Sequence, residues 1–101
     1  MPQFVTVADL ASLPSGHGRT VQYEGREFSI WNLDGQIYCI DDQCPHRGGP
    51  LGAGSLQGTE IFCPLHGWGF DERTGACSSR PDRPVRTYPA RIMDGQVQIC
   101  I

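Results

Sequence analysis

The 101-residue chain lacks an even set of cysteines, an excess of basic residues and any long apolar run. Five cysteines cannot form a fully paired disulfide framework. A net charge of −3 leaves no basic patch, so no nucleic-acid role is expected. No stretch approaches the roughly 20 apolar residues that cross a bilayer as a helix. The opening MPQFVTVADL also lacks the basic start and apolar core of a signal peptide. The expected location is the reducing cytoplasm, with no membrane partner, where cysteines serve as ligands or core residues more often than as disulfides. No glycine fingerprint for a dinucleotide occurs.

What is present points to a small β protein. Thirteen Gly and eight Pro favour many turns and short strands over long helices. Hydrophobic content of 39% with 19% charge suits a globular chain, and the length suits one domain over residues 1–101. Strands are expected at Phe4 to Val7, Thr20 to Tyr23, Arg26 to Asn32 and Gln36 to Ile40, with a helical turn over Ala8 to Leu13. Glu24-Gly25, Asp34-Gly35 and Asp94-Gly95 read as tight turns between strands. Asp41 to Gly58 reads as irregular, Asp71 to Gly75 as a turn and Arg80 to Pro84 as a second irregular loop. Val85 to Met93 and Gln96 to Ile101 should form the last hairpin, in which Val97, Ile99 and Ile101 alternate with polar positions. The expected fold class is all-β, an antiparallel sandwich or barrel with a small metal-binding subdomain inserted at about residues 41–72.

That insertion carries the chemistry. Cys44-Pro45-His46 opens it and Cys63-Pro64-Leu65-His66 closes it. Two thiols and two imidazoles make a complete four-ligand set. Two occupants fit this set: a [2Fe–2S] cluster and a structural zinc ion. Glycine-rich flanks favour the cluster, because its sulfurs carry negative charge and accept backbone N–H bonds at close approach. Gly48, Gly49, Gly67 and Gly69 are the candidate donors, while Pro45 and Pro64 stiffen the loops. Two ferric ions, two sulfides and two thiolates sum to a neutral oxidised core, whereas four thiolates make a dianion. An electron adds more easily to the neutral core. Potentials of two-Cys, two-His centres accordingly run from about −150 to +300 mV, against about −400 mV for four-Cys plant-type clusters.

The pattern C-x-H…C-x-x-H, embedded in CPHRGG and CPLHGWGFD, resembles the Rieske family over most of the chain. The resemblance implies that Cys44 and Cys63 bind the inner iron, and His46 and His66 the outer, more exposed one. It implies a covering proline loop at Arg80 to Pro84, including Pro81. Respiratory and photosynthetic members carry an extra disulfide-linked cysteine in each loop; the matching positions here are Gly49 and Leu65. Trp68 and Phe70 stand where that branch places hydroxyl donors to sulfur. Fewer donors stabilise the reduced cluster less, so a potential in the lower part of the range is expected. The pattern is similar to soluble ferredoxins of ring-hydroxylating dioxygenase systems and to small subunits of nitrite reductases.

The expected function is one-electron transfer, not catalysis. Once His46 and His66 are used, only His17 remains, so no 2-His-1-carboxylate iron site is left. The resemblance implies an electron taken from an NAD(P)H-dependent flavin reductase and passed to a terminal oxygenase through the exposed imidazole edges. Pro45, Leu51, Pro64 and Leu65 would form an apolar rim for transient docking. The alternatives are a permanently bound small subunit of a nitrite-reductase-type complex and a structural zinc module. Cys39, Cys77 and Cys100 read as small buried hydrophobes or inert thiols, His17 as a loop residue and Trp31 as core. Trp68 either shields the cluster or supports its loop. Arg47 is solvated or aids docking. Asp41 and Asp42 read as a solvated acidic edge. The outer imidazoles should ionise more readily when ferric, making the potential flat near neutral pH and falling in alkali.

Overall fold

The computed structural model describes residues 3–45, 48–65, 67–78, 80 and 82–101. Its strands are β1 (Phe4–Asp9), β2 (Gly18–Tyr23), β3 (Arg26–Leu33), β4 (Gln36–Asp41), β5 (Ser55–Gln57), β6 (Glu60–Phe62), β7 (Gly69–Asp71), β8 (Thr87–Tyr88), β9 (Ala90–Met93) and β10 (Gln96–Cys100). They form three antiparallel sheets in the orders β1-β10-β9, β2-β3-β4-β8 and β5-β6-β7.

Three hairpins follow directly from their turn residues. Glu24-Gly25, Asp34-Gly35 and Asp94-Gly95 all have positive φ at both positions, as the tight two-residue turn demands. In β10, Val97 and Ile99 are fully buried while Gln96 is exposed, the alternation expected of a half-buried strand.

β3 is the wall around which the fold is built. Residues 28–32 are buried without interruption. Alternation sends Phe28 and Ile30 to one side, where they meet Val21, Ile37, Cys39, Val97 and Ile99. It sends Trp31 to the other side, with Ile40, Cys44, Leu51, Ile61, Cys63, Phe70 and Cys77. One core therefore joins the two larger sheets, and the second fastens the small sheet and its loops onto β3 and β4. Burying each such apolar side chain is worth about 1.5–3 kcal/mol, while strand propensity spans only about 1 kcal/mol. Burial therefore sets the register. The polar members of the wall are satisfied: Trp31 Nε1 donates to Ser29 Oγ at 2.7 Å, and Asn32 Nδ2 donates to the Leu13 carbonyl at 2.8 Å.

Several expectations need correction. Asp41 to Gly58 is not wholly irregular: a 3-10 turn at Leu51–Ala53 and β5 lie within it. The helical turn near the start is confined to Leu10–Ser12, because Ala8 and Asp9 pair with Val97 and Gln96. Val85 to Met93 is not one strand. Pro89 separates β8, which pairs with β4, from β9, which pairs with β10.

Asp42 is not solvated. It is 2% exposed, and its Oδ1 accepts the Gly52 N–H at 2.8 Å and the Thr20 hydroxyl at 2.7 Å. Asp41 is half-buried and accepts the Tyr88 hydroxyl at 2.7 Å and the Arg86 N–H at 2.9 Å. A further carboxyl, Glu72, is 1% exposed, and neither oxygen has a hydrogen-bond partner among the described residues. Burial, followed by the neighbouring charge of Asp71, pushes its pKa from 4.5 up to about 7, with Arg73 opposing. Because the folded-state pKa is raised, Glu72 costs the fold nothing below about pH 4.5 and progressively more as pH rises through about 7. Denaturant titration should show stability falling by about 1 kcal/mol between pH 6 and pH 8, and Glu72→Leu should remove that part of the fall.

Candidate metal centre

The two cysteine loops are built alike. The first leaves β4 and is closed at its base, where the Leu51 N–H donates to the Asp42 carbonyl at 2.7 Å and Gln43 bridges to Pro50. The Cys44 N–H donates to the Gly49 carbonyl at 2.9 Å, and the Gly48 N–H donates to the Cys44 carbonyl at 2.7 Å. The second loop joins β6 to β7. There the Cys63 N–H donates to the Trp68 carbonyl at 2.8 Å, and the Gly67 N–H donates to the Cys63 carbonyl at 3.0 Å. Gly48 and Gly67 have φ of 71° and 72°, a conformation side chains rarely adopt. Their N–H groups close the turns on the cysteine carbonyls.

The two thiols are brought into one buried region. Cys44 is 1% exposed and Cys63 4% exposed, and both belong to the core that packs on Trp31 and Ile40. Gly49 marks the contact between the loops: a Cβ there would stand 2.7 Å from Cys63 Sγ and 3.0 Å from Leu65 Cγ. The two positions matched to the extra cysteine pair thus do face each other, with no thiol at either. Gly69 is similarly crowded, between Phe62, Glu60 and Ser78. His46, Arg47, His66 and Pro81 lie outside the described residues.

Trp68 is half-buried against this core. The guanidinium of Arg80 sits 5.7 Å from the Trp68 ring, and the Arg80 N–H donates to Cys77 Sγ at 3.3 Å. The start of the expected covering loop therefore does lie beside the second cysteine loop. Leu65 is exposed at 55% and Pro64 is exposed, whereas Pro45 is half-buried. Leu51 is fully buried and cannot belong to a docking rim. Cys39 and Cys77 are buried, and burial followed by the charge of Asp41 pushes the Cys39 thiol up to about 12, which leaves it protonated and inert. His17 is exposed in its loop and Trp31 is core, as expected.

The model of the Rieske [2Fe-2S] domain matches residues 3–89. The chain belongs to the Rieske [2Fe–2S] domain family. It is 34% identical over 98 residues to the ferredoxin component of a naphthalene 1,2-dioxygenase system from Pseudomonas aeruginosa, covering 96% of this chain and 94% of that one. The ferredoxin of carbazole 1,9a-dioxygenase from Nocardioides aromaticivorans superposes with a TM-score of 0.87 at 31% identity, covering 96% of each chain. A chain in a complex of reduced oxygenase and oxidized ferredoxin of carbazole 1,9a-dioxygenase superposes with a TM-score of 0.85 at 28% identity, covering 95% of this chain and 91% of that one. A putative nitrite reductase small subunit from Mycobacterium tuberculosis reaches a TM-score of 0.91 over 100% of this chain and 96% of that one, but at 22% identity it shares the fold alone.

As a member of this family the chain carries one [2Fe–2S] cluster and transfers electrons rather than catalysing a reaction itself. The donor chemistry fits the group. Thiols at Cys44 and Cys63 sit in matched loops, and at Gly49 the backbone approaches Cys63 Sγ too closely for any side chain. No helix among the described residues is long and apolar enough to cross a membrane.

Sequence reasoning missed two carboxylates, Asp42 and Glu72. Local sequence carried no signal for either: Glu72 lies just past the three-residue β7, and the donors to Asp42, Thr20 and Gly52, come from other segments. Gly49→Ala should place a methyl against Cys63 Sγ and cost about 1–3 kcal/mol in overpacking. The purified variant should hold less iron and sulfide per chain than wild type. Adding Leu65→Ala should not restore it, because the sulfur contact remains.

Proposed function

We propose that this chain is the ferredoxin component of a ring-hydroxylating dioxygenase system. It takes one electron at a time from an NAD(P)H-dependent flavin reductase and delivers it to a terminal oxygenase, in the cytoplasm. Cys44 and Cys63 bind one iron, and His46 and His66 bind the other. The carrying observation is the pair of like-built loops that place Cys44 and Cys63 in one buried core. The full-length likeness to dioxygenase ferredoxin components supports the choice of system. The fold also suits a nitrite reductase small subunit, but that likeness carries no more than the fold.

When bound, the cluster supplies a one-electron couple. The protein's own part is to bury the thiolates, fix the loops and leave a contact surface. Leu65 and Pro64, exposed beside His66 in sequence, form the apolar part of that surface, and Pro45 adds a half-buried edge. A small patch of this kind suits a weak, short-lived complex.

Absorption and EPR spectra before and after dithionite test the reading. The expected result is a brown protein whose reduced signal averages below the free-electron g value, with a midpoint below about 0 mV because Trp68 and Phe70 offer sulfur no hydroxyl. A colourless protein loaded with zinc would overturn it. In alkaline solution the midpoint should fall as imidazole N–H groups ionise in the oxidised state. His46→Ala and His66→Ala should each lose that fall, together with the Rieske-type spectrum.

A further inference from the structure

Glu72 is a buried carboxyl outside the proposed ligand set. Its two oxygens lack partners among the described residues, although an apolar side chain would avoid the cost of burying it. The β6–β7 hairpin fixes where it lies. The Glu72 N–H donates to the Thr59 carbonyl at 2.9 Å, followed by the pairs Glu60↔Asp71, Ile61↔Phe70 and Phe62↔Gly69. Cys63 comes next, so about four strand residues, or roughly 13 Å of backbone, separate Thr59, which stands opposite Glu72, from Cys63. Ile61 and Phe70, both fully buried, fill the interval.

We propose that Glu72 is a redox-linked proton site: reduction of the cluster strengthens proton binding at its carboxyl, so that electron uptake is accompanied by partial proton uptake. This rests on the ligand reading above. The balance is simple. One electron converts one ferric ion to ferrous, and a proton from solvent binds one carboxylate oxygen of Glu72; no other bond forms or breaks. One added negative charge at a separation of that order changes proton affinity by roughly two- to tenfold, depending on the effective dielectric constant. By linkage, protonation favours reduction by the same factor in equilibrium constant.

The surroundings leave the carboxyl free to respond. Burial and Asp71 hold its titration near neutrality, against Arg73. The Arg73 guanidinium is engaged with Asp71 at 3.3 Å, and Glu60 accepts the Ser78 hydroxyl at 2.7 Å. From β4 and β8, Tyr38, Cys39 and Tyr88 face the same groove; the Tyr88 hydroxyl donates to Asp41 at 2.7 Å and the Cys39 thiol stays neutral. Glu72 lines that groove, about 350 Å³, together with these residues, while its two carboxyl oxygens are themselves buried.

The test compares cluster-loaded wild type with Glu72→Gln, and with Glu72→Leu as a second variant, by redox titration from pH 6 to pH 8.5. The imidazoles alone give a flat potential near neutral pH; with Glu72 responding, the wild-type midpoint should instead fall through neutrality by the equivalent of a two- to tenfold affinity change, where tenfold is about 59 mV for one electron. Both variants should be flat there and keep the alkaline fall of the imidazoles. Reduced-minus-oxidised infrared spectra should gain a protonated-carboxyl band in wild type alone. A loaded wild type with a flat neutral potential, or variants with the same slope, would overturn the inference and leave the ligand reading intact. A wild-type spectrum other than the Rieske type would overturn both.

Discussion

Two thiols must be buried together at the tips of two loops, and the continuous buried strand β3 makes that possible. Its residues 28–32 face two cores at once. Trp31 turns away from Phe28 and Ile30 to provide the floor on which Cys44 and Cys63 pack. The loops add little order of their own; each is closed by two backbone hydrogen bonds around a glycine with positive φ. Without the apolar floor, four such bonds would net only a few kcal/mol against the entropy of ordering the loops.

The buried carboxylates divide the labour of the fold. Asp42 anchors the first cysteine loop by accepting bonds from Gly52 and Thr20, so its charge is matched by donors from two other segments. Glu72 has no such partner among the described residues. A matched carboxylate rigidifies the site it serves, whereas an unmatched one stays poised between two protonation states at neutral pH. Their contrast within one small domain fold places structural stiffness at one end of the metal loops and electrostatic responsiveness at the far end of the β6–β7 hairpin.

An electron carrier needs a site that is shielded yet reachable. The inner face is covered by Trp31, Ile61 and Phe70, and the Arg80 guanidinium over Trp68 closes one flank. On the outer side Leu65 and Pro64 remain exposed. The exposed apolar surface beside the cysteine loops is therefore small. A patch of that size suits transient rather than permanent docking.

By itself the sequence determined the hairpins at Glu24-Gly25, Asp34-Gly35 and Asp94-Gly95, the alternation of β10 and the two matched cysteine loops. These depend on turn chemistry and short-range periodicity, which operate between neighbours in the chain. Only the tertiary structure decided that Asp42, Glu72 and Leu51 are buried, that Ser55–Gln57 and Gly69–Asp71 are strands, and that β8 and β9 belong to different sheets. Each of these outcomes depends on partners elsewhere in the chain: Thr20 for Asp42, Glu60–Phe62 for both short strands, β4 and β10 for β8 and β9. A three-residue strand or a solitary carboxylate carries too weak a local preference to announce its own environment, so long-range packing settles it.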